Sequence, residues 1–165
     1  MLSSEFIVFD FSKQKNLSSW RVVDDVVMGG VSDGNLKINS KGNGLFYGNV
    51  STENNGGFSS IRYQFNKIDV SNYSKIVLKL KGDGNNYQFR VKDDSRNYFS
   101  YIKEFSTTKE WTLIEINLSD MYPAYRGRTL NKKNFSSNKI EEIAILIGNK
   151  KEQSFQLEID KIYLK

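Results

Sequence analysis

Lys75-Ile76-Val77-Leu78-Lys79-Leu80-Lys81, then Gly82-Asp83-Gly84-Asn85, then Tyr87-Gln88-Phe89-Arg90-Val91-Lys92: this passage decides the fold class. Ile76, Leu78 and Leu80 share one face of an extended chain. Lys75, Lys79 and Lys81 take the other, with Val77 the one apolar exception. After the turn, Tyr87, Phe89 and Val91 face inward and Gln88, Arg90 and Lys92 outward. A period of two with one apolar face marks a half-buried antiparallel strand. Gly, Asn and Asp between two such runs supply the positive φ of a tight turn.

The pattern continues in both directions. Phe6, Val8 and Asp10 alternate with Ile7, Phe9 and Phe11, and Phe155, Leu157 and Ile159 alternate with Gln156, Glu158 and Asp160. Further turns are predicted at Ser32-Asp33-Gly34-Asn35, Lys41-Gly42-Asn43-Gly44, Asn54-Asn55-Gly56-Gly57 and Asp93-Asp94-Ser95-Arg96-Asn97. Ile143-Ala144-Ile145-Leu146-Ile147 is apolar on both faces, which predicts a central strand covered on both sides. About ten short strands at this spacing predict an all-β antiparallel sandwich of jelly-roll type. Its first and last strands are expected to be neighbours. The stretch from Leu118 to Ile140 lacks strand pattern and holds the only proline, Pro123, so it reads as a long ordered loop. With 165 residues and no linker or repeat, residues 1–165 are expected to form a single domain.

Two absences narrow the chemistry. There is no Cys and no His. That excludes disulfides, thiolate metal sites, the Ser-His-Asp triad and the usual general base near neutral pH. Catalysis would have to rest on Asp, Glu, Lys, Tyr or Arg, or on a carboxylate-bound metal, and the chain is expected not to be an enzyme. No cofactor is expected. Calcium needs six to eight oxygens, and the sequence offers only Asp10 and Asp160 where the chain ends meet, so no metal is assigned. The net charge of +5 invites a nucleic-acid reading. The lysines are scattered, however, with Lys132-Lys133 and Lys150-Lys151 the tightest pairs, so nucleic acid is not expected. No apolar run suits a membrane span. Met1-Leu2-Ser3-Ser4-Glu5 shows no signal peptide, which predicts a cytoplasmic chain.

Four polar clusters interrupt the strand pattern: Trp20 to Ser32, Phe46 to Arg62, Lys81 to Gly84, and Tyr122 to Arg128. In order, they contain Trp20, Asp25, Val27-Met28-Gly29-Gly30-Val31-Ser32, then Phe46 and Gly48, then Glu53-Asn54-Asn55-Gly56-Gly57-Phe58 with Ser60 and Arg62. Gly82-Asp83-Gly84 and Tyr125-Arg126-Gly127-Arg128 follow. Together they resemble the complex I intermediate-associated protein 30 family over almost the whole chain. Val26 stands where that family often has Gly, and Tyr125 where Phe is common. The resemblance implies a galactose-binding-like β-sandwich and a role in assembling respiratory complex I. In photosynthetic organisms the same domain is joined to nucleotide-binding domains. Here no G-x-G-x-x-G follows a strand.

The candidate ligand- or partner-binding residues are Asp25, Met28, Glu53, Asn54, Arg62, Asp83, Tyr125, Arg126 and Arg128. Met28-Gly29-Gly30 reads as a tight bend or as an anion nest. Asp24, Asp25, Glu53 and Asp83 suit turn formation, pairing with arginine, or paired-carboxylate glycoside hydrolysis. Arg62, Arg126 and Arg128 suit recognition of carboxylate or phosphate, or a lock in which Arg62 bridges Asp25 or Asp83. Exposed members of the set Trp20, Tyr47, Phe58, Tyr101, Trp111, Tyr122 and Tyr125 would offer stacking platforms for a sugar ring. The expected function is a non-catalytic binding module of assembly-factor type, with a respiratory-complex subunit as protein partner. The alternative is a carbohydrate-binding module.

Overall fold

A computed structural model describes residues 5–165, with all side chains in that range except those of Val27, Met28 and Asn55. These residues form thirteen strands. The first six are β1 (Phe6–Asp10), β2 (Trp20–Asp24), β3 (Asp33–Ile38), β4 (Gly44–Val50), β5 (Ser59–Asp69) and β6 (Lys75–Lys81). Then come β7 (Asn86–Lys92), β8 (Ser100–Ser106), β9 (Trp111–Asn117), β10 (Tyr122–Tyr125), β11 (Arg128–Thr129), β12 (Lys139–Ile147) and β13 (Gln153–Leu164). Short 3-10 turns occupy Asp25–Met28, Glu53–Asn55 and Leu118–Asp120.

One sheet runs β3-β4-β13-β6-β9, with β1 also paired to β13. The other runs β11-β10-β8-β7-β12-β5-β2. Every pairing is antiparallel. The two sheets stack as a jelly-roll sandwich. Ile76, Leu78 and Leu80 of the first meet Phe89, Ile143 and Ile145 of the second in one core, all fully buried. Burying each such side chain stabilises the fold by about 1.5–3 kcal/mol. The first and last strands are neighbours, with Phe6 opposite Leu164 and Asp10 opposite Lys161. β12 lies between β7 and β5 and its run from Ile143 to Ile147 is buried, as its two apolar faces predict.

Three local expectations fail. Strict alternation along β1 breaks at a bulge between Ile7 and Phe9, which turns both Val8 and Phe9 into the core. Ser32-Asp33-Gly34-Asn35 is not a turn, because β3 already begins at Asp33. Gly34 serves close approach there, since a Cβ would overlap the Ser59 hydroxyl. The stretch from Leu118 to Ile140 is not one loop, as it carries β10 and β11. Pro123 fits in β10 because its carbonyl accepts from the Leu130 amide at 2.9 Å. Its missing N–H therefore falls on that side, away from the ladder to β8.

Candidate functional site

Asp25 follows the last residue of β2 and is fully buried. A buried carboxylate is tolerated only when hydrogen bonds replace its water. Asp25 Oδ1 accepts from the Ser32 amide at 3.0 Å. Its Oδ2 accepts from the Ser32 hydroxyl at 2.6 Å and from the Gly57 and Phe58 amides at 2.5 and 3.3 Å. Burial pushes the Asp25 carboxyl up, but these donors outweigh it and hold the pKa below the usual carboxylate value. Gly30 and Gly56 press against the same group, and a Cβ at either would overlap the carboxylate. Next to it, Asp24 accepts from the Ser59 hydroxyl at 2.5 Å and the Gly34 amide at 2.9 Å. The first two sequence clusters are thus tied into one buried knot.

This arrangement decides between several sequence readings. The Gly29 and Gly30 amides donate to the Val26 and Asp25 carbonyls, both at 2.9 Å, so the glycine pair forms a bend with those amides already engaged. Gly29 adopts φ 85°, which explains glycine there. Arg62 bridges neither Asp25 nor Asp83, because both carboxylates are satisfied by other groups. Asp83 accepts from the Asn85 side chain at 2.8 Å, the Tyr87 hydroxyl at 3.0 Å and the Gln156 amide at 2.8 Å. It locks the β6–β7 turn to β13, apart from the Asp25 knot. Glu53 and Asn54 are exposed in the second 3-10 turn, Asn54 at φ 56°. Arg128 is exposed in β11. The Met28 side chain lies outside the described residues.

Arg62, Tyr125 and Arg126 do come together, around a groove of about 570 Å³ on the outer face of the seven-stranded sheet. Its floor includes Arg62, Arg90, Lys92 and Leu146. Gly57 and Phe58 form one wall, so the Asp25 knot fixes the position of that wall. Tyr98, Tyr125 and Arg126 form the opposite rim. Tyr98 and Tyr125 meet edge to face at 5.1 Å, and the Arg126 guanidinium lies 5.3 Å from the centre of the Tyr125 ring. Tyr98 is 58% exposed. Trp20 offers no platform, being buried against Phe9, Phe11 and Tyr63.

Cations dominate the groove. Arg21, Arg62, Arg90 and Lys92 share this face with the buried Glu142, which pairs with Arg21 at 3.5 Å and accepts from Gln64 at 2.8 Å. Burial, and then the Arg62 charge, lower the Arg90 pKa to about 10. Burial also lowers Arg62 and Lys92. Glu142 partly offsets this for both, while neighbouring guanidiniums add to it. Arg90, Lys92 and Tyr98 escaped sequence reasoning. The period of two placed Arg90 and Lys92 on an outward face, which by itself reads as solvated.

The structure is similar to a family 11 carbohydrate-binding module of a Clostridium thermocellum cellulosomal cellulase, with a TM-score of 0.72 and 19% identity, covering 97% of this chain and 93% of that one. It is also similar to a segment of an exo-beta-agarase, with a TM-score of 0.62, 10% identity and 25% of that chain covered. At these identities the likeness is one of fold. Among curated proteins, mitochondrial complex I intermediate-associated protein 30 of Drosophila melanogaster is 24% identical across 96% of this chain and 62% of its own length. The Mus musculus protein of that name is 26% identical across 94% of this chain and 55% of its own length. The chain thus spans little more than half the length of these relatives. The expectation of a cytoplasmic chain is overturned, since these relatives are named as mitochondrial proteins. The make-up of the first five residues was no guide to compartment. The family model for complex I intermediate-associated protein 30 matches residues 9–159, and the chain belongs to that family.

Proposed function

We propose that residues 1–165 act as one non-catalytic binding module of assembly-factor type, with the groove of the seven-stranded sheet as its contact surface for a protein partner. The observation that carries this is the groove itself. Half-buried arginines and rim tyrosines are the side chains that anchor protein interfaces. Relatives at 24% and 26% identity are named complex I intermediate-associated proteins, which makes a respiratory-complex subunit the proposed partner. Among the described residues no helix is long and apolar enough to cross a membrane.

The test is capture of complex I assembly intermediates, identified by mass spectrometry, on the immobilised chain. Tyr125→Ala with Arg126→Ala is expected to cut recovery at least tenfold. Recovery independent of these residues would place the partner surface elsewhere.

A second reading is carbohydrate binding, and the exposed Tyr98–Tyr125 pair at the groove rim favours it. Sugar rings stack on such faces. Binding on a glycan array, lost in Tyr98→Ala, would favour the sugar over the protein partner.

A further inference from the structure

The open face carries one straight row across six strands. Arg21 of β2 lies opposite Arg62 of β5, and Arg62 opposite Ala144 of β12. Ala144 lies opposite Arg90 of β7, Arg90 opposite Ile102 of β8, and Ile102 opposite Tyr122 of β10. Arg62 and Arg90 are therefore two strands apart, about 10 Å between their backbones, with only a methyl group between them. Ala144 is 3% exposed although it sits on the open face, so longer neighbours close over it.

We propose that Arg62 and Arg90 form a receptor for a single oxyanion, a carboxylate or phosphate carried by the partner chain, held between the two guanidiniums above Ala144. This rests on the reading of the groove as a partner surface.

Three observations support it. First, each guanidinium is steadied by a neutral acceptor on its own strand. Arg62 Nε donates to the Ser60 hydroxyl at 3.3 Å, and Arg90 donates to Gln88 Oε1 at 3.1 and 2.7 Å. The forks are oriented without being neutralised. Second, the carboxylates on this face are engaged elsewhere. Glu142 pairs with Arg21 and accepts from Gln64, and Glu104 accepts from the Tyr122 hydroxyl at 2.5 Å. Among the described residues neither Arg62 nor Arg90 forms an ion pair. Third, both guanidiniums are partly desolvated, and Arg90 feels the like charge of Arg62. A shared anion relieves that repulsion with charge-assisted hydrogen bonds from two sides. Lys92 is held aside, since its ammonium donates to the Asn97 carbonyl at 2.6 Å.

The experiment is an NMR titration with inorganic phosphate and with acetate at constant ionic strength, following the arginine Nε–Hε signals. Saturable shifts are expected for Arg62 and Arg90. Arg62→Gln and Arg90→Gln are each expected to weaken binding at least tenfold, about 1.4 kcal/mol. Lys37→Gln, on the other sheet, is expected to leave it unchanged. Ala144→Leu, which wedges the two side chains apart while keeping both charges, is expected to abolish the saturable shifts in a chain that still folds, with the melting temperature lowered by several degrees. Equal losses in Lys37→Gln would show diffuse attraction and overturn the proposal. So would unchanged binding in a folded Ala144→Leu. Peptides of one sequence bearing glutamate, phosphoserine or glutamine then separate the two sources of the anion, with the glutamine peptide expected to bind tenfold more weakly than at least one of the others. Capture of assembly intermediates that survives Arg62→Gln and Arg90→Gln overturns the anion receptor but not the partner surface. Saturable, two-arginine-dependent phosphate binding without capture keeps the anion receptor but overturns a partner chain as the source of its anion.

Discussion

Asp25 Oδ2 accepts a hydrogen bond from the Gly57 amide at 2.5 Å, across 32 residues of chain, and Gly57 lines the groove. A fully buried carboxylate thereby sets one wall of an open surface. The interior knot and the exterior site are mechanically one object, although their chemistry differs.

Replacing Asp25 with Ala should therefore cost stability and binding together. It removes a charged acceptor and leaves the Gly57, Phe58 and Ser32 amides without a partner. The expected loss is about 3 kcal/mol, a drop in melting temperature of about 6–12 °C. Circular dichroism on heating measures it. A change under 1 kcal/mol would mean that water replaces the carboxylate at little cost.

The same carboxylate sets an acid dependence. Its folded pKa lies below its unfolded one, because the hydrogen bonds outweigh desolvation. Its contribution is complete above the unfolded value of about 3.9 and is lost as pH falls through the lower folded value. Urea midpoints measured from pH 6 down to pH 2 should fall below about pH 4, and fall less in Asp25→Asn. Parallel curves for the two proteins would assign the acid sensitivity to other groups.

Gly29 and Gly30 should respond differently to alanine. Gly29 has open space at its Cβ position but φ 85°, so Gly29→Ala carries only the backbone cost of about 1 kcal/mol. Gly30→Ala drives a methyl into the Asp25 carboxylate and should cost more, about 2–3 kcal/mol. Equal destabilisation in chemical unfolding would argue against the knot.

β9 forms an edge of its sheet, and it exposes Trp111 and Leu113 by 41% and 51%. Exposed apolar edges template association. Leu113→Lys should change stability by no more than about 0.5 kcal/mol and lower light scattering on heating. Scattering unchanged by this charge would clear the edge of that role.

The sequence made some of this legible and hid the rest for identifiable reasons. Tyr87, Phe89 and Val91 announce their strand because burial follows the pleat, and all three are buried. Val8 and Phe9 defeat the same rule, since a bulge is a matter of partner register. Alternation alone puts Arg62 on the face opposite Ile61. Its companions Arg21, Ala144 and Arg90 depend on strand order, and β5 meets β2 and β12 only in three dimensions. In sequence Asp25 reads as a turn former, a partner for arginine or one of a carboxylate pair. Its actual donors are amides and a hydroxyl, groups that composition does not flag.

The position of β13 bears on how the chain is made. The last strand in sequence sits inside its sheet, with β6 along one edge and β4 and β1 along the other. During ribosomal synthesis, β3 with β4 and β6 with β9 can pair locally, but they cannot join until residues 153–164 have emerged. Until then Leu78, Leu80 and Phe46 lack Ile162, Ile159 and Leu157, the β13 residues that lie opposite them in the finished sheet. Completion of the sheet is thus a late, all-at-once event, and nascent chains arrested before β13 should be chaperone clients.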